Sequence, residues 1–175
     1  YLKKNGITEN KTGVDFQHWL SDSIDDESIK DDFEKYCYNL LMYGKRKLIR
    51  SYEIKNTRVL KDDNKWLTKL KKDFQIETLN FNNVLTTFLQ PGEEWKISAI
   101  KTEDDEKGDL KKISILFQCY VCKSGNIETC TYIPVEVDLQ NKILLIKSWR
   151  RLGLESDREY KYNFLMDKVF EWLSS

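Results

Sequence analysis

Residues 113–121 read Ile113-Ser114-Ile115-Leu116-Phe117-Gln118-Cys119-Tyr120-Val121. Ile113, Ile115, Phe117, Cys119 and Val121 recur at every second position. That is the period of a strand with one face turned to a core. Lys123-Ser124-Gly125-Asn126 follows and reads as a hairpin turn. A return strand is expected from about Thr129 through Val135 and Val137 to Asp138. Leu139-Gln140-Asn141-Lys142 turns again, and Ile143 opens a last strand that ends at Trp149. Upstream, Trp95, Ile97 and Ala99 alternate with Lys96, Ser98 and Ile100. The acidic turn Glu103-Asp104-Asp105-Glu106-Lys107-Gly108 joins that strand to the next. The expectation is a four-stranded antiparallel meander over residues 93–149.

The residues before the meander read differently. Residues 1–13 are polar and form a loose lead-in, and residues 14–92 read as mainly helical. Phe16, Trp19 and Leu20 suit a short helix. Ile29, Phe33, Tyr36, Cys37, Leu40 and Leu41 recur at steps of three and four, which predicts a helix with that stripe as its buried face. Asp25 or Asp26 can cap its start, and Gly44 can end it in a left-handed conformation. Residues 47–60 suit either a strand or a helix, and Ile54, Thr57 and Val59 favour an extended segment. Asp62-Asp63-Asn64 reads as the cap of a helix carrying Trp66, Leu67 and Leu70. Val84, Leu85, Phe88 and Leu89 predict another helix over 82–90, stopped by Pro91-Gly92. After Gly153, a closing helix over 157–174, capped by Asp157, carries Tyr162, Leu165, Met166, Val169, Phe170 and Leu173. Segregated helices and strands imply a single α+β domain over 1–175, with its C-terminal helix packed on the sheet and helices covering one face.

Composition narrows the class. The chain has 175 residues, 40% of them hydrophobic and 13% aromatic, which is enough to build a core and too apolar for disorder. No stretch approaches the ~20 apolar residues of a membrane span. Tyr1-Leu2-Lys3-Lys4-Asn5-Gly6 has no apolar run after its basic pair and does not read as a signal peptide. The four cysteines, Cys37, Cys119, Cys122 and Cys130, suit free thiols in a reducing, cytoplasmic setting. The chain opens on Tyr1 rather than Met. The expected context is a piece of a larger bacterial protein.

Several chemical motifs can be weighed. Cys119-Tyr-Val-Cys122 with Cys130 superficially suggests zinc, but a structural site needs four converging ligands. With a turn centred on Ser124-Gly125, Cys119 is expected to face Cys130 as one of two buried thiols. The single histidine, His18, has no G-x-S-x-G or C-G-S-C partner motif. The glycines never fall at G-x-G-x-x-G or Walker spacing. Glu94-Trp95-Lys96, with Asp73 earlier, faintly resembles the acid and lysine arrangement of Mg²⁺-dependent nucleases. No metal and no cofactor is expected.

The charge map says more. Lys plus Arg equals Asp plus Glu, 29 against 29, so no global charge draws the chain to nucleic acid or membrane. Residues 22–34 are strongly acidic. Residues 45–72 are strongly basic, with Lys45, Arg46, Lys47, Arg50, Lys69, Lys71 and Lys72 among their bases. Arg150 and Arg151 add a smaller basic spot beside Trp149. Tryptophan is enriched at interface hot spots, and Trp149, at a strand end, is the one expected to meet a protein partner. Trp95 and Trp172 are expected in the core. The leading expectation is a non-enzymatic protein-binding or regulatory domain whose partner is another protein or the flanking domains of a longer chain. The alternative is a nucleic-acid-binding accessory domain using the basic segment, and a metal-dependent nuclease is the third. The helix pair at 64–72 and 82–90 caricatures a winged helix, but the second carries no positive charge for a DNA groove.

Overall fold

The structure, a computed structural model, describes residues 27–44, 48–55, 65–85, 87, 89, 93, 95–123, 126–148 and 155–173. Of these, the side chains of 28, 29, 120–123, 126–130, 155–162 and 164 are not described. In chain order the elements are α1 (Glu27–Tyr43), β1 (Leu48–Glu53), α2 (Lys65–Asp73), β2 (Phe81–Asn82), β3 (Trp95–Asp104), β4 (Leu110–Lys123), β5 (Asn126–Asp138), β6 (Ile143–Ser148) and α3 (Glu155–Leu173). The strands form one antiparallel sheet in the order β1-β6-β5-β4-β3-β2.

The class is α+β, but the expected layout is overturned in two ways. The sheet has six strands among the described residues, not four, because β1 and β2 come from the part read as helical and become its two outer strands. Helices cover both faces rather than one. The extended reading of 47–60 holds for β1, whose six residues pair with β6 from Leu48↔Ser148 to Glu53↔Ile143.

The first face is apolar. Ile113, Ile115 and Phe117 of β4, Ile133, Val135 and Val137 of β5, and Leu144 and Ile146 of β6 point into one buried cluster. Strand alternation puts them there, two residues apart on each strand. Trp66, Leu67 and Leu70 of α2 cover them, with Leu165, Val169 and Trp172 of α3, at helical spacings of one to four. Full burial of one Leu-sized side chain contributes ~2 kcal/mol, so this cluster supplies most of the fold's driving force. Trp172 is fixed on three sides. It stacks on Phe117 (5.9 Å, 6°), meets Phe74 edge-on (5.5 Å, 74°) and donates its indole N–H to Asp73 (3.3 Å). At β1, Tyr52 packs edge-on against Phe170 (5.3 Å) and donates to the Met166 sulfur (2.8 Å).

The second face is largely polar and lies under α1. Tyr38 and Met42 pack on Ala99, Leu116 and Val84. Beside them Glu136 of β5, only 6% exposed, bridges Lys112 of β4 (3.2 Å) and Lys147 of β6. Lys147 also reaches the Met42 carbonyl (3.4 Å), satisfying an orphan acceptor at the C-terminal end of α1. The Tyr43 ring lies 5.4 Å from the Lys112 ammonium and 5.3 Å from that of Lys147. Lys101 sits 3.8 Å over the Tyr38 ring. Burial, and next the charge of Lys35, lowers the Lys101 pKa.

Four local readings are corrected. A register shift between Ile97 and Ala99 breaks the strict alternation of β3. Ile97 and Ile100 therefore join the first cluster, while Ala99 joins the one under α1. A second shift, between Val121 and Cys122, moves the β4–β5 pairing by one residue, so Cys119 stands opposite Thr131 and Cys130 opposite Tyr120. The predicted helix over 82–90 is absent in the described part of that span. Asn82 is in β2, Asn83 N–H donates to Ser98 O (2.9 Å), and a single turn follows in which Thr87 N–H donates to Asn83 O (3.0 Å). α3 begins at Glu155, so Asp157 lies inside it rather than at its cap.

Candidate functional site

Four of the sequence-predicted basic residues, Arg50, Lys69, Lys71 and Lys72, fall among the described residues. Lys45, Arg46, Lys47, Arg150 and Arg151 lie outside the described residues, as does Trp149. Arg50 on β1 donates to the Asn163 side chain of α3 (3.3 Å). Lys69 on α2 pairs with Glu171 near the other end of α3 (3.3 Å). Asn163 and Glu171 are roughly 12 Å apart along the helix at 1.5 Å per residue. Lys71 and Lys72 close α2, where a positive charge complements the helix dipole. Arg50 and Lys69 are thus tied to α3, and Trp66, on α2 with Lys69, is 2% exposed in the core.

Of the nuclease residues, Asp73 and Lys96 fall among the described ones. Glu94 lies outside the described residues, Lys96 pairs with Glu93 (3.5 Å), and Asp73 holds the Trp172 indole. Among the described residues no group of three or more His, Cys, Asp or Glu could hold a metal ion. No helix among them is long and apolar enough to cross a membrane.

Two features stand out instead. The first is the outer side of α1. The helix turns Glu34, Tyr38 and Met42 inward, with Cys37 and Leu41 of the predicted stripe partly buried beside them and its Tyr36 and Leu40 outward. Glu34 is 3% exposed because its two oxygens accept the backbone N–H groups of Val84 (2.7 Å) and Leu85 (2.9 Å). With that face inward, Tyr36 and Leu40 come out on the opposite side, 39% and 49% exposed, while Tyr43, 50% exposed in the last turn, lays its ring edge-on to Tyr38 (6.3 Å) and beside the Lys112 and Lys147 ammonium groups. Tyr36 and Leu40 stand at i and i+4, one stripe of a helix. Leu48 and Ile49 of β1 and Ile143 of β6 complete the exposed large hydrophobics among the described residues. Tyr43 lies by Lys147, and Lys147 pairs with Ile49 in the sheet, so the helix stripe runs on toward β1.

The second feature is a cleft on the other face, between α2, α3 and the start of β3. Its volume is about 310 Å³, and Phe74, Trp95, Leu165 and Trp172 give it an aromatic and aliphatic lining. Lys69, Asp73, Lys168 and Glu171 complete it. Glu171 bridges Lys69 (3.3 Å) and Lys168 (3.0 Å), and those hydrogen bonds, that of Lys168 first, hold its carboxyl below the usual carboxylate range.

Searches of protein-family models, curated proteins and solved structures each return no match to this chain. The site therefore rests on its own geometry. Sequence reasoning missed both features for one reason. Tyr36 and Leu40 were assigned to a core face because an apolar pattern cannot show that a buried carboxylate sets the helix's rotation. The cleft is built from three elements far apart in sequence, and its lysines carry no local signal.

Proposed function

We propose that this chain is a non-enzymatic protein-binding or regulatory domain, and that the outer stripe of α1 is its docking surface. The observation that supports this reading is the exposure of Tyr36 and Leu40, one turn apart on the outer side of α1, with Tyr43 half-exposed at its end and Ile49 of β1 exposed on the sheet face that α1 covers. Large apolar side chains gathered on one side of a domain mark protein contacts, and tyrosine is a preferred anchor there. An amphipathic stripe with this spacing fits an apolar groove on a partner protein. Asp32 precedes Tyr36 by one turn on the same side and is exposed, 3.8 Å from the Lys35 ammonium. The partner groove is accordingly one with a basic residue at the end that meets Asp32.

A photo-crosslinking residue placed at Leu40 in the full-length protein, in its native host, tests this. The expected result is one discrete partner protein, absent when the probe is at Gln140. That partner, purified, should bind the wild type and lose at least tenfold in affinity with Leu40→Glu, a change of about 1.4 kcal/mol. No discrete product, or binding untouched by Leu40→Glu, would overturn the reading. Steeply salt-dependent binding of short DNA or RNA, lost with Lys71→Glu and Lys72→Glu, would replace it with the nucleic-acid one.

A further inference from the structure

The cleft between α2 and α3 is separate from the α1 stripe and is shaped for something smaller than a protein. From its volume, lining and rim we infer that it binds a small organic monoanion with a flat apolar body, an aryl carboxylate in chemical class. The volume, about 310 Å³, is roughly twice that of the ~150 Å³ apolar cavity that takes up benzene, so it admits a fused two-ring body. Phe74, Trp95, Leu165 and Trp172 offer that body aromatic and aliphatic contacts on several sides. The Trp172 wall is held in place before any ligand arrives, by its stacking on Phe117, its edge contact with Phe74 and its hydrogen bond to Asp73. Preorganisation of this kind lowers the entropic cost of binding.

The rim selects the charge. Two ammonium groups, of Lys69 and Lys168, converge on the single carboxylate of Glu171. The other lining carboxylate, Asp73, accepts the Trp172 indole N–H (3.3 Å). Among the described residues at the Glu171 corner the count is two positive charges to one negative, and each ammonium carries three donors. A ligand carboxylate placed there meets both lysines while its ring lies on the aromatic lining. A cation of the same shape meets their repulsion.

Three ligands that share one ring system make the test: 2-naphthoate, neutral 2-naphthalenemethanol and 2-naphthylmethylammonium. Affinity is measured by calorimetry, and location by the indole N–H resonance of Trp172 in NMR spectra. Naphthoate should saturate, shift that resonance and bind at least about threefold more tightly than the alcohol, the scale of one exposed ion pair. The cation should bind most weakly. Lys69→Gln with Lys168→Gln should erase the preference for the anion, and Glu171→Gln should strengthen naphthoate by a similar factor. Leu165→Trp, which fills the cleft, should abolish binding of all three. If that variant does not fold, Lys69→Glu with Lys168→Glu decides the matter, because it should reverse the order in favour of the cation. No saturable binding at millimolar naphthoate overturns the inference. So does equal binding of all three ligands, or binding that leaves the Trp172 resonance in place.

Discussion

Glu34 on α1 accepts the backbone N–H of Val84 at 2.7 Å, across fifty residues of sequence. Its other oxygen takes Leu85 N–H at 2.9 Å. One carboxylate thereby fixes both the rotation of α1 and the course of the chain after β2. Buried donors left without an acceptor cost about 1–3 kcal/mol each. Glu34→Ala is expected to destabilise the fold by about 2–4 kcal/mol in urea unfolding, and Glu34→Gln, which keeps one acceptor oxygen, by less. Equal losses for the two variants would show that the oxygen contacts are not what matters.

Cys37 stands one turn along from Glu34 on the same helix. Burial, and then the charge of Glu34, pushes its thiol from 9.0 up to about 11. The thiolate is the reactive form, so at pH 8 alkylation of Cys37 by iodoacetamide should run roughly 100-fold slower than that of an exposed peptide thiol. Glu34→Gln should speed it. Peptide mapping by mass spectrometry separates Cys37 from the other cysteines, and a normal rate in the wild type would refute the prediction.

Glu136 holds Lys112 at 3.2 Å and also holds Lys147, while Lys147 reaches back to α1. Removing the shared partner strands two half-buried ammonium groups. Glu136→Leu is expected to cost about 3–5 kcal/mol, because a broken buried pair leaves charge uncompensated. Burial pulls the Lys112 ammonium down, but the hydrogen bond and charge of Glu136 outweigh it and leave it above 10.5. A raised lysine stabilises fully below its unfolded value and loses that contribution as pH rises through the folded one. The wild type should therefore lose stability above about pH 10.5 more steeply than Lys112→Met. Parallel alkaline unfolding curves would contradict this.

Asp138 closes β5 and accepts the Asn141 backbone and side-chain N–H groups, both at 2.8 Å. Partial burial raises its carboxyl, but the hydrogen bonds of Asn141 and Gln140 prevail and lower it below 3.8. A depressed carboxylate stabilises above its unfolded value and loses that contribution as pH falls through the folded one. Asp138→Asn should flatten the acid limb below about pH 4 and leave the neutral and alkaline limbs parallel to wild type. An unchanged acid limb would remove Asp138 as the cause.

Local sequence determined much of this protein. Period-two alternation marked β4, and the turns at 123–126 and 139–142 marked off β5 and β6. Three- and four-residue spacing marked α2 and α3, with Trp66, Leu67, Leu70, Leu165 and Val169 on their buried sides. Those signals are local because a strand or helix facing one apolar layer repeats its pattern within a few residues. Tertiary structure decided the rest. Val84 and Leu85 have helical spacing, but the described span makes only a single turn, Thr87 N–H on Asn83 O, whose first donors are held by Glu34 from fifty residues away. β1 is an outer strand only because β6 lies beside it, ninety or more residues later in the chain. The shift between Val121 and Cys122 separates Cys119 from Cys130, which no count from the turn could reveal. The outward placement of Tyr36 and Leu40 arises the same way. The hydrophobic pattern says that α1 must bury a face, and only the buried carboxylate of Glu34 says which one.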